Sequence, residues 1–136
     1  MNDLKTILLQ IDTVFKKISE SQQMPDKLLL HANQLSSLKY NLGDLYINAR
    51  ADSKASEAQL DFEFSSSFMK YKKEGNSDAT ARTLAKIDCR DRQVEYLDLE
   101  RLTTTLWIKR EDVAEKISVL QSYARELRDQ KSYKTM

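Results

Sequence analysis

Residues 73–78 read Lys73-Glu74-Gly75-Asn76-Ser77-Asp78, and the fold turns on this stretch. Gly75 suits the left-handed position just past a helix end, and Ser77 or Asp78 suits the N-cap of the next helix. The whole chain of 136 residues holds two Gly and one Pro, the other breakers being Gly43 and Pro25. Strands need turns and turns need such residues, so their scarcity argues against a β fold. The expected class is all-α: a single domain with helices over about 3–22, 26–74 and 78–131.

Working outward, the segment before the turn carries Leu28, His31, Leu35, Leu38, Leu42, Leu45 and Ala49, a heptad seam. Gly43 falls inside that seam at a cost of roughly 1 kcal/mol relative to Ala, which the flanking leucines can carry. Nothing else stops the helix before Gly75, so it would run for about 48 residues, or ~70 Å at 1.5 Å per residue. The segment after the turn carries Leu99, Leu102, Leu106, Val113, Ile117, Leu120, Ala124 and Leu127. At the N-terminus, Leu4, Ile7, Leu8, Ile11, Val14, Phe15 and Ile18 make one buried stripe, with Asn2 or Asp3 as cap and residues 132–136 expected to fray.

Both long helices lose their large apolar residues in the middle. There Ala51, Ala55, Ala58 and Phe62 share one face, and Ala81, Leu84, Ala85 and Asp88 share another. If these faces meet, two antiparallel helices approach closely. The expectation is a short N-terminal helix plus a long antiparallel hairpin. Residues 4–18, 28–49 and 99–127 would form a three-helix bundle, and a two-helix coiled-coil arm over about 50–98 would project from it. A thin arm cannot hide Leu60, Phe62, Phe64, Phe68, Met69 and Tyr71. Exposed apolar surface of this kind marks an interface, so Leu60, Phe62, Phe64, Phe68 and Met69 are candidates for an oligomer or partner surface. The alternative is a bend in the middle that folds the arm back into a more compact bundle.

Charge and chemistry narrow the function. Lys and Arg number 22 against 21 Asp and Glu, a net charge of +1 that gives no bulk attraction to nucleic acid. Cys89 and His31 each stand alone, too few for zinc sites, Cys–His nucleophiles or His-based triads. The acid groups Asp88/Asp91, Asp98/Glu100 and Glu111/Asp112/Glu115 lack the Glu-x-x-His partners of a di-metal bundle. They read as solvated faces, Asp88 pairing with Arg92, and Glu111 and Asp112 with Lys116. His31 reads as structural, Cys89 as an inert thiol and Trp107 as a packing residue. No phosphate loop or nucleophile elbow is present. No catalytic, cofactor or metal site is expected, and no enzyme. The start, MNDLKTILLQIDTVFKK, is broken by charge and reads as no signal peptide, and no 18-residue apolar run spans a membrane.

One local feature favours nucleic acid. Phe68-Met69-Lys70-Tyr71-Lys72-Lys73 interleaves lysines with aromatics, and Arg82 and Lys86 follow beyond the turn. Stacking joined to phosphate contact is how sequence-neutral single-strand binders work. Lys70, Tyr71, Lys72, Lys73, Arg82 and Lys86 are therefore the candidate contacts to single-stranded DNA. The plain alternative is lysines serving the helix dipole and aromatics packing near the tip.

Four stretches carry a resemblance: AlaArgAlaAspSerLysAlaSerGluAla, LysLysGluGlyAsnSerAspAlaThrAlaArg, ValGluTyrLeuAspLeuGluArg and IleSerValLeuGlnSerTyrAlaArgGluLeuArg. In composition and periodicity they resemble small all-helical proteins of tailed-phage early operons, over about two thirds of the chain. The layout also loosely resembles phage recombination-mediator proteins, which form rings, bind single-stranded DNA and load a recombinase. Residues 57–62 echo that family's stretch ahead of its turn, but Glu57 and Gln59 stand where it carries basic residues. The resemblance implies a non-enzymatic oligomeric scaffold in DNA replication or recombination, in the cytoplasm of a bacterial host cell. Its partners would be itself, single-stranded DNA or a recombination or replication protein. The other reading is an inhibitor or adaptor that grips a host or defence protein with its arm.

Overall fold

A computed structural model of the chain describes residues 4–22 and 24–134, with side chains through residue 130; the Asn2 or Asp3 cap and the last two residues lie outside the described residues. It is all-helical. The elements are α1 (Leu4–Glu20), α2 (Pro25–Lys73), α3 (Asp78–Asp88) and α4 (Arg90–Lys134), with no strand among the described residues. Pro25 opens α2, where its fixed φ suits a first helical position and its missing N–H costs nothing.

The segment after Gly75 is two helices, not one. The break falls at Cys89, whose φ of −93° and ψ of 7° leave the α region. The backbone ladder survives around it, because Cys89 N–H donates to Ala85 O at 3.0 Å and Gln93 N–H donates to Cys89 O at 2.9 Å. The interruption is one residue of changed dihedral with its bonds intact.

The chain divides into two compact units: residues up to Tyr46 with those from Leu106 onward, and Ile47–Thr105. In the first, Ile7, Ile11, Val14 and Ile18 of α1 meet a core that also holds Leu28, Leu35 and Leu42 of α2 with Leu106, Val113 and Leu120 of α4. Their 3–4 spacing gives each helix one apolar stripe, and burying it drives the helices together. Arg128 donates to Asp26 at 2.8 Å, and a Cβ on Gly43 would lie 3.5 Å from Arg110 Nε. Numbers falling on α4 as they rise on α2 make those two segments antiparallel. His31 is buried on this seam, with Ser21 Oγ 3.4 Å from Nε2 and Gln34 Oε1 3.1 Å from Nδ1. Both ring nitrogens thus have partners inside the fold.

The second unit has an interior of small side chains: Ala49, Ser53 and Ser56 from α2, Ala81 and Ala85 from α3, and Cys89. Ser53 donates its hydroxyl to Glu100 Oε1, which answers the cost of burying it. This corrects the expected inner stripe. Ala51, Ala55, Ala58 and Phe62 all face outward, and Asp88 is exposed as well. The inward line of α2 is Ala49, Ser53, Ser56 and half-buried Leu60, with the same spacing but two residues out of phase. Two residues are about 200° of helix, so the two lines lie on opposite sides.

The expected ion pairs are also replaced. Arg92 does not meet Asp88; its guanidinium donates to Glu63 at 3.1 and 3.2 Å and to Glu95 at 3.3 Å. Glu111 lies 3.8 Å from Arg110, and Lys116 sits 5.8 Å over the Phe15 ring. For Arg92 the cross-helix carboxylate of Glu63 displaces the i−4 neighbour Asp88, because the packing of α2 against α4 already holds the two groups at short range.

Candidate nucleic-acid and partner interface

The tip of the second unit is built by the turn. Gly75 has a φ of 95°, the left-handed value that an L side chain resists. Gly75 N–H donates to Lys72 O at 3.1 Å and Asn76 N–H to Tyr71 O at 3.2 Å, the paired bonds of a Schellman cap. The Asn76 side-chain amide adds a bond to Tyr71 O at 3.0 Å. Ser77 caps α3 by accepting from Thr80 N–H at 3.3 Å.

Within this frame the six candidate DNA contacts divide. Tyr71 is half-buried and its hydroxyl donates to Asp88 at 2.7 Å, a bond that raises the phenol pKa above its ordinary value. Lys72 is engaged with Asp78 at 2.7 Å, and that ammonium holds the carboxyl below the usual aspartate range. Lys70 lies 5.4 Å over the Tyr71 ring and lines a shallow groove with Ser66, Met69, Lys73 and Glu74. Arg82 and Lys86 are exposed one turn apart on α3. Lys70 and Lys72, two residues apart, point to opposite sides of α2. The structure therefore brings Lys70 and Lys73 together, pairs Arg82 with Lys86, and commits Tyr71 and Lys72 to bonds inside the unit.

The candidate partner residues divide too. Phe62 is 72% exposed and Met69 is 58% exposed, while Leu60, Phe64 and Phe68 are half-buried. Sequence reasoning missed Ile47, 64% exposed, and the exposed Ile87 and Val94. Ile47 precedes Ala51 by one turn on the outward line of α2, a signal that was available in the spacing. Val94 shares a shallow groove with Asp91, Glu95, Asp98 and Leu99 on α4.

No group of three or more His, Cys, Asp or Glu able to hold a metal occurs among the described residues. Burial pushes the Cys89 thiol pKa up, with Glu63 and Asp88 adding to the effect, which disfavours the reactive thiolate. Burial likewise raises Tyr96, next to Glu100. Trp107 is exposed over much of its surface, with the Tyr46 ring centroid 5.3 Å away and Arg110 stacked at 5.7 Å. No described helix is long and apolar enough to cross a membrane. No protein-family profile, curated protein or solved structure matches the chain.

Proposed function

We propose that this chain is a non-enzymatic, self-associating helical scaffold, and that its second unit carries the binding surface. The observation that carries the reading is the outward side of α2, where Ile47, Phe62 and Met69 stand exposed on one line. Removing a large apolar side chain from water is worth about 1.5–3 kcal/mol, so several on one face favour company. The phage-type reading comes from the resemblance of the four stretches, and the role in DNA replication or recombination from the looser likeness of the layout and of residues 57–62 to recombination mediators. Weak single-stranded DNA binding would fall to Lys70 and Lys73 on one groove and to Arg82 and Lys86 on α3.

Light scattering with and without a single-stranded oligonucleotide tests both parts. The expected result is a mass above the 15.8 kDa of one chain, and a further gain on adding DNA that fades as salt rises. A monomer at every accessible concentration removes the scaffold reading, and no gain at low salt removes DNA.

The acidic groove around Val94 supports a second reading, an adaptor or inhibitor gripping a host or defence protein. Its apolar floor and the carboxylates of Asp91, Glu95 and Asp98 suit a basic, amphipathic segment. Val94→Asp would then abolish capture of that protein while leaving the mass of the free chain unchanged.

A further inference from the structure

We propose that the outward face of α2 between Ile47 and Met69 is a two-fold, antiparallel seam for a second copy of this chain. The inference rests on the self-association reading and gives it a partner, a direction and a register. Ala51, Ala55, Ala58, Phe62, Ser65 and Met69 follow each other at alternating steps of four and three residues, and every one is exposed. That is a complete a/d seam lying on the side away from the unit's own interior. Its small centre of Ala51, Ala55 and Ala58 permits close helix approach, with Phe62 one step beyond it and Met69 at the far end.

Direction and register follow from size and charge. Run antiparallel with Ala55 opposite Ala58 of the second copy, the seam sets each Phe62 against an Ala51, a large side chain against a small one. Asn48 then meets Ser65, polar against polar. On the flanks Lys54 comes opposite Asp61 twice, once on each side of the two-fold axis. Both side chains are exposed, and neither is in an ion pair within its own chain among the described residues. A slip of one heptad one way sets Lys54 against Lys54, and the other way Asp61 against Asp61. Like charges directly opposed are repulsive, so both slips are disfavoured. An in-register parallel pair stacks Phe62 on Phe62 and leaves Lys54 facing Gln59, with neither benefit.

The test uses the full chain. In sedimentation, Lys54→Glu and Asp61→Lys are each expected to weaken the dimer by roughly tenfold, and the double variant to recover it, since two exposed pairs are reversed and then restored. On a Cys89→Ser background, Asn48→Cys and Ser65→Cys chains mixed under mild oxidation should yield the mixed disulfide. The two Asn48 positions of one dimer lie far apart in this register, so homodisulfides alone would establish a parallel pair and overturn the proposal. A chain that self-associates but ignores the charge swap overturns this seam while sparing the scaffold reading; a monomer overturns both.

Discussion

Gly75 shows how much one residue can decide. Nothing lies within 4 Å of where its Cβ would be, yet its φ of 95° is one that L side chains rarely adopt. Gly75→Ala is therefore a test of backbone conformation alone, with no clash to confuse it. It should destabilise the chain by about 1–2 kcal/mol in urea unfolding. Beside it, Lys72 holds the Asp78 pKa below the ordinary aspartate value. A carboxyl whose folded pKa is depressed adds stability above its unfolded pKa, near 4, and loses it as the pH falls through the folded value. In an NMR pH titration, Lys72→Ala should move the Asp78 midpoint upward towards the ordinary value and remove that part of the acid dependence. The turn residues were legible one by one in the sequence, because their constraints are local. The bond from Tyr71 to Asp88 was not, since the two residues lie 17 positions apart and meet only after the turn closes.

At the scale of the element, Gly43 is a liability inside α2. An added Cβ would meet Arg110 Nε at 3.5 Å, an ordinary contact. Gly43→Ala should therefore stabilise by about 0.5–1 kcal/mol, seen as a raised melting temperature, through lower backbone entropy in the unfolded chain. Helix content and the turn were readable from breaker residues and spacing. The inward face of α2 past Tyr46 was not. Ala51, Ala55, Ala58 and Phe62 repeat with the same steps as Ala49, Ser53, Ser56 and Leu60, and counting alanines selects the wrong line. Ser53 is stabilised inside by Glu100 of α4, a partner that periodicity along α2 cannot reveal. The break at Cys89 is equally silent in the sequence, which has neither Gly nor Pro there.

For the whole molecule, the two units should answer mutation differently. Ile11 is fully buried among isoleucines and leucines, so Ile11→Ala should cost about 2–5 kcal/mol of folding stability. Phe62 is mostly exposed in a single chain. Phe62→Ala should change the stability of dilute protein by no more than about 0.5 kcal/mol, while sharply reducing self-association by light scattering. The candidate surface was thus half legible: exposed phenylalanine and methionine near the tip could be read from the sequence, whereas the half-buried state of Phe64 and Phe68 depends on tertiary packing.

The interior of Ala49, Ser53, Ser56, Ala81, Ala85 and Cys89 has a dynamic consequence. Small side chains bury little apolar area, so local opening there costs less than in the leucine-lined helices. Deuterium should enter the amides of Ile47–Thr105 sooner than those of residues 28–42. If a neighbouring copy caps that region, its exchange will slow as the protein is concentrated, and labelling time courses at two dilutions will separate.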